Sequence, residues 1–234
     1  MWVYHNPLNE MVLFNYRKGR GQHGPKEILA GYEGVLQCDG YTIYDKIGKS
    51  KHITLAGCLV HVRRKYVEAK DSAPSMANYA LDIFSKIYQQ EKLAKSSEDR
   101  KAYRIKHIIP LLQELKKWID ETSPATLPKS PIGKAMTYTL KQWDKIMNIF
   151  NDGRIELDNN LIENQIRPLA LGRKNYLFAG SHKGGHRIAM MYSFFATCKA
   201  NDVNPFEWLK NTLEEIPKCK ITELEKLLPG HKEV

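Results

Sequence analysis

Apolar positions along this chain change their spacing twice. The first part carries short runs typical of strands: residues 2–5 (WVYH) and 11–16 (MVLFNY) flank the turn sequence Asn6-Pro7-Leu8-Asn9 and predict a hairpin. A glycine- and charge-rich turn from Arg17 to Gly24 leads to Pro25, placed for the first position of a short helix through Ala30. Val35–Cys38 and Ile53–Cys58 read as two further strands, the second running into a basic amphipathic helix that contains His61.

From about Ser75 to Phe150 the spacing becomes purely helical. Met76, Tyr79, Ala80, Ile83, Phe84, Ile87 and Tyr88 recur at intervals of three and four, as do Ile105, Ile108, Ile109, Leu112, Leu115, Trp118 and Ile119, with Pro110 as a kink or restart. Ser130-Pro131 caps a third helix, and the charged run Glu91–Arg104 reads as a solvated face and connection. The texture then changes again. Asp152-Gly153 turns the chain, Ile155–Leu157 is a short apolar run, and Asp158-Asn159-Asn160 starts a helix with Asp158 as its cap. That helix carries Glu163 and Arg167 on one face and should stop at Pro168. Tyr176–Ala179 is a short apolar segment, strand or helix, and Gly180–Arg187 a glycine-rich basic turn. An apolar helix over Ile188–Lys199 and a last one over Phe206–Ile216 follow, and the tail from Pro217 has no assignable pattern.

Composition narrows the function classes. A hydrophobic content of 42% over 234 residues supports a real core, and a formal net charge of +10 fits a polyanionic partner and a merely solvated basic surface equally well. No stretch approaches the ~18 apolar residues of a membrane span, and MWVYHNPLNE lacks the basic-then-apolar order of a secretory signal. The four cysteines, Cys38, Cys58, Cys198 and Cys219, are scattered as reduced cytosolic thiols are. Cys58 and His61 have the gap of half a zinc site, but no second Cys/His pair follows, which favours packing for both. Asp39 ends a strand and precedes glycine, where open α/β sheets place their chemistry, although a plain turn residue fits equally well. Glu163 set among Arg167, Arg173, Lys174, Lys183 and Arg187 has the make-up of a metal-assisted phosphoryl-transfer site on nucleic acid.

Cys38-Asp39-Gly40-Tyr41, Cys58-Leu-Val-His61-Val-Arg-Arg-Lys65, Asp152-Gly153, Asp158-Asn159-Asn160 with Glu163, Ile166-Arg167-Pro168, Gly172-Arg173-Lys174-Asn175 and Ala179-Gly180-Ser181 together resemble the Insertion Sequence 66 family of bacterial transposases, in order and spacing, up to about Ile216. The resemblance implies an α/β fold: an RNase H-like core with a mixed five-stranded sheet, an all-α insertion and C-terminal helices. On this reading residues 1–73 are the first part of the core, 74–150 the helical insertion, 151–200 the second part with the Glu163 helix, and 201–234 a helical element and tail. It also implies an Asp-Asp-Glu triad holding two Mg²⁺ or Mn²⁺ ions, with Asp39 the second acid, Glu163 the third and Asp158 a reserve ligand. Cys58 and His61 resemble a structural Cys-x-x-His element. Two hard cations about 3.5–4 Å apart would activate the attacking oxygen and steady the leaving one. Arg167, Arg173, Lys174, Lys183 and Arg187 would neutralise DNA phosphates. The implied setting is the bacterial cytoplasm at the nucleoid, with transposon-end and target DNA as partners, no membrane, and a homo-oligomer for the intact enzyme.

The chain departs from the family pattern at one point. The first acid should lie on a strand ahead of Trp2, and no Asp precedes Asp39. The expectation is a truncated, N-terminally incomplete transposase, inactive alone, whose hairpin and Asp39 strand lack their shared central neighbour and expose sticky edges. Alternatives are a non-catalytic basic DNA-binding fragment, an RNase H-like nuclease of another kind, and, weakest, a zinc module on Cys58 and His61.

Overall fold

The computed structural model describes residues 1–94 and 96–231. It is a mixed α/β protein, mostly helical, with two small sheets. Two compact units form: Gly31–Asn159, and Met1–Ala30 together with Asn160–Val234.

The Gly31–Asn159 unit is built on parallel strands β3 (Gly34–Gln37) and β4 (Ile53–Ala56), paired Gly34↔Ile53 through Gln37↔Ala56, with the short helix α2 (Ile43–Ile47) between them. β4 feeds α3 (Leu59–Glu68), and α4 (Pro74–Glu91), α5 (Ser97–His107), α6 (Ile109–Thr122), α7 (Pro131–Lys141) and α8 (Trp143–Asn148) follow. The helical stripes converge as their spacing requires: Leu59, Val62 and Tyr66 of α3 meet Ile83, Phe84 and Ile87 of α4, Leu112, Leu115 and Ile119 of α6, and Ala135 and Met136 of α7 in one core. Ser130 caps α7 by accepting from the Gly133 N–H at 3.1 Å, and Pro110 restarts the helix at α6.

The charged run Glu91–Arg104 is not simply a solvated face. Arg104 is fully buried, donating to both carboxylate oxygens of Glu91 at 2.9 and 2.6 Å and to the Ile155 carbonyl at 2.7 Å. Arg100 adds a bond to Glu156 at 2.9 Å. A buried guanidinium is tolerable only when its fork is satisfied, and here it ties the α4–α5 hairpin to the segment ahead of Asp158.

In the other unit β1 (Trp2–Asn6) and β2 (Met11–Asn15) form the expected antiparallel hairpin, followed by α1 (His23–Ile28), which takes in His23 and Gly24 ahead of Pro25. Here too are α9 (Asn160–Tyr176), α10 (His182–Ala200) and α11 (Pro205–Glu215). Among the described residues the strands pair two by two, β1 with β2 in this unit and β3 with β4 in the Gly31–Asn159 unit. The outer edge of β2 is nonetheless occupied. Along α10, Ser193 accepts from the Phe14 N–H at 2.8 Å, Thr197 accepts from the Val12 N–H at 3.1 Å and donates to the Val12 carbonyl at 3.2 Å, and Asn201 donates to the Glu10 carbonyl at 3.1 Å. Four helical residues rise about 6 Å and two strand residues about 6.8 Å, so residues four apart on a helix register against residues two apart on a strand.

Three local expectations fail. α9 does not stop at Pro168; it runs through to Tyr176. The proline removes one helical hydrogen bond, but it lies on the exposed side, while Leu169 packs beside the hairpin and its cluster offsets the loss. Tyr176–Ala179 is neither strand nor continuous helix: α9 ends at Tyr176, and Leu177 takes φ +57°. Gly180–Arg187 is likewise no open turn, because α10 begins at His182 with Ser181 as cap. Gly185 belongs there because a Cβ would run into the Tyr16 ring.

Candidate functional site

The parallel pair β3–β4 ends in a cluster of polar residues. The Cys38 N–H donates to the Ala56 carbonyl at 3.0 Å, carrying the ladder one step past β3 and delivering Asp39 at the carboxyl end of the pair. Asp39 Oδ1 accepts from the Tyr41 N–H at 3.0 Å, an Asx turn that fixes the carboxylate. Gly40 follows, and a Cβ there would displace the Tyr138 hydroxyl. Burial first, then the negative charge of Asp39, raises the Tyr138 pKa, so its hydroxyl remains a protonated donor.

The β4 side supplies Cys58 ahead of α3. Its Sγ donates to Asn159 Oδ1 at 2.9 Å, receives the Asn159 N–H at 3.4 Å, and lies 3.1 Å from His61 Nδ1. Burial raises the Cys58 pKa and pushes Cys38 up to about 12, so both are thiols and not thiolates. Gln37 Nε2 donates to the Gly57 carbonyl at 3.0 Å and the Glu156 carbonyl at 2.7 Å, and the Leu59 N–H donates to the Leu157 carbonyl at 2.9 Å. These bonds lay residues 156–159 beside the end of β4. Asp158 Oδ2 accepts from the Tyr88 hydroxyl at 3.3 Å, and burial, reinforced by that carboxylate, raises the Tyr88 pKa. Asp158 and Asn159 directly precede α9.

Of the residues singled out from sequence, Asp39, Cys58, His61 and Asp158 belong to the Gly31–Asn159 unit. Glu163, Arg167, Arg173, Lys174, Lys183 and Arg187 belong to the other. Glu163 lies in the first turn of α9 with Arg167 one turn on, and all five cations are exposed. Sequence reasoning missed Tyr88 and Tyr138, which read as members of core stripes, and Asn159, which read as part of a helix start.

The donor chemistry can be tested against a metal. Asp39 and Glu163 offer hard carboxylate oxygens of the kind Mg²⁺ and Mn²⁺ accept, and Asp39 has one oxygen outside its turn. Cys58 and His61 supply two of the four ligands a structural zinc takes, and the Cys58 thiol is engaged with His61 and Asn159. Among the described residues, no group of three or more His, Cys, Asp or Glu side chains is placed to hold an ion, and no helix is long and apolar enough to cross a membrane.

An acidic strand end in one unit and exposed cations in the other accord with what family comparison finds. The chain matches the family described as transposase IS66 family over residues 1–187 and the IS66 C-terminal element over residues 193–229. It belongs to the IS66 transposase family. Its similar relatives include the uncharacterized protein y4qI of Sinorhizobium fredii (strain NBRC 101917 / NGR234), 35% identical over 233 residues, 94% of this chain and 43% of that protein. Protein y4hP of the same strain is 33% identical over 229 residues, 90% of this chain and 41% of its own length. Protein y4jD is 32% identical over 234 residues, 95% and 46% respectively. The chain therefore spans less than half the length of the curated relatives it matches. No solved structure matches it.

Proposed function

We propose that this chain is part of the catalytic core of a DNA transposase of the Asp-Asp-Glu type, RNase H-like in design, acting on transposon-end and target DNA as a homo-oligomer at the bacterial nucleoid. The observation that carries the reading is the placement of Asp39: a carboxylate fixed by its own turn at the carboxyl end of two parallel strands, in a chain of the IS66 transposase family. Asp39 and Glu163 would hold the divalent ions, with Asp158 in reserve. Two bound Mg²⁺ or Mn²⁺ ions would supply charge neutralisation at the attacking and leaving oxygens of the phosphodiester. The protein's own groups do the rest. The Tyr41 N–H orients Asp39, the Tyr88 hydroxyl orients Asp158, and Arg167, Arg173, Lys174, Lys183 and Arg187 neutralise phosphates without reading sequence.

A second reading, a basic DNA-binding chain without catalysis, draws on the five cations alone. Metal titration separates the two. Asp39→Ala and Glu163→Ala should each abolish Mn²⁺ binding and leave DNA affinity intact; metal binding unchanged in both variants would remove the active-site assignment and leave the DNA-binding one.

A further inference from the structure

No carboxylate occurs between Glu163 and Asp202, while six Lys or Arg do: Arg167, Arg173, Lys174, Lys183, Arg187 and Lys199. The whole chain has 26 Asp and Glu among 234 residues, so an acid-free stretch of this length marks a surface kept electropositive. In its middle, where α9 hands over to α10, Leu177 and Phe178 are 73% and 76% exposed.

Their exposure is built in. The Leu177 N–H closes the end of α9 on the Arg173 carbonyl at 3.0 Å, and the Phe178 N–H donates to the Tyr176 carbonyl at 2.6 Å. The second bond wraps a three-residue turn around Leu177 at φ +57°, a left-handed conformation unfavourable for leucine. Gly180 at φ +72° brings the chain back, and Ser181 caps α10 through the Gly184 N–H at 3.0 Å. The Ala179 carbonyl lies so close to Gly184 that no Cβ fits between them. A turn closed at both ends, strained at Leu177, and presenting two large apolar side chains to water runs against burial.

We propose that Leu177 and Phe178 form a base-stacking wedge for DNA. Arg173 and Lys174 before the turn, and Lys183 and Arg187 after it, hold phosphates on either side. The Phe178 ring then enters the stack at an unpaired or easily opened step, with Leu177 behind it. An apolar wedge inside a cationic rim is the arrangement by which proteins unstack a duplex step or grip a single strand, and four surrounding cations favour this occupant over an apolar protein surface. The inference rests on the DNA-binding reading above and adds a base contact to it.

The test uses the full chain and two fluorescent DNA probes of one sequence, one fully paired and one with a central two-nucleotide mismatch carrying 2-aminopurine. The protein should prefer the mismatched probe and quench its 2-aminopurine. Phe178→Ala should weaken that complex about 10- to 100-fold and leave the paired probe within about twofold, with an unchanged salt slope. Phe178→Trp should restore the preference, its indole emission falling on binding. Lys183→Ala and Arg187→Ala should instead weaken both probes and lower the salt slope by about one each. Equal affinity of the unaltered chain for both probes, or equal weakening of both by Phe178→Ala, overturns the wedge and leaves DNA binding standing. Loss of self-association in Phe178→Ala with DNA binding untouched overturns it in favour of a protein contact. No binding to either probe overturns both readings.

Discussion

Thr197→Val removes one hydroxyl and keeps the shape of the side chain, at a position where the hydroxyl completes a strand edge. Thr197 Oγ1 serves both the N–H and the carbonyl of Val12, and the site is buried. Valine fills the same volume, so the cavity contribution is small and the change isolates the polar one. A buried backbone group left unsatisfied costs about 1–3 kcal/mol, and two groups of one residue are at stake. The cluster around the hairpin is small (Val12, Phe14, Ala189 and Ala196 buried, with a few partial neighbours), so little else absorbs the loss. Amide hydrogen exchange with residue resolution is the assay, because two compact units make one global melting curve ambiguous. The Val12 amide should exchange roughly 5- to 150-fold faster, the factor that 1–3 kcal/mol represents. Phe14, held by Ser193, should follow by less, and Ser193→Ala should reverse that order. The exposed Thr54→Val provides the control and should move nothing by more than about 0.5 kcal/mol. Val12 exchange in Thr197→Val that matches the Thr54→Val control would refute the view that α10 acts as a surrogate edge strand.

Other substitutions probe the Gly31–Asn159 unit. Arg104→Met strands the half-sunken Glu91 and the Ile155 carbonyl, and should lower the urea stability of the Gly31–Asn159 unit by about 3–5 kcal/mol; a loss under about 1 kcal/mol contradicts the bidentate geometry. Gly40→Ala should displace Tyr138 and weaken Mn²⁺ binding, with Tyr138→Ala in the same chain recovering part of it; weakening that the second change does not touch would place the fault elsewhere. The Cys38 and Tyr66 pKa values are both raised to about 12 by burial, from ordinary values of 9.0 and 10.0. Their raised folded values mean that this stability is complete below pH about 9 and is lost as pH rises towards 12, because the unfolded chain ionises first. Flat stability across that window would sink the assignment. A disulfide reagent at pH 8 should modify the half-exposed Cys219 well ahead of buried Cys38 and Cys58, as followed by intact-mass spectrometry.

Which features the sequence exposed depended on how local their causes are. The α4 and α6 stripes were legible because burial of Ile83, Phe84, Ile87, Leu112, Leu115 and Ile119 follows from helical spacing alone. The hairpin was legible from its turn, and the place of Asp39 from a strand followed by glycine. Arg104 was not, since its partner Glu91 stands thirteen positions away and nothing local separates a buried arginine from a solvated one. Continuation of α9 through Pro168 was hidden for a related reason: the proline penalty is local, while the packing of Leu169 that offsets it is tertiary. Ser193 and Thr197 looked like ordinary polar positions in an apolar helix, and Asn201 like the break after it, because a helix that completes a strand edge has no pattern of its own. Among the described residues the strands form two pairs, and one edge of β2 is closed by side-chain hydroxyls of α10.

The Cys58–His61 pair shows why geometry has to decide between a metal half-site and a latch. A zinc ligand would be a thiolate, whereas here the Cys58 thiol donates to Asn159 Oδ1 and burial raises its pKa. The sulfur then accepts from Asn159 N and faces His61 Nδ1, so one atom clamps both the amide oxygen and the backbone of Asn159. Asp158 and the start of α9 adjoin that residue in sequence, so loosening the clamp should be felt by the acids on either side of it. Cys58→Ala leaves Asn159 Oδ1 and His61 Nδ1 without their shared partner, at a cost of about 1–3 kcal/mol, and should speed exchange at the Asn159 amide. Cys58→Ser keeps a donor and acceptor in place and should recover most of that protection. Under a zinc reading, serine would fail as alanine does, and a chelator would reproduce the loss in the unaltered chain. Equal damage from the two substitutions, together with chelator sensitivity, would replace the latch with a metal.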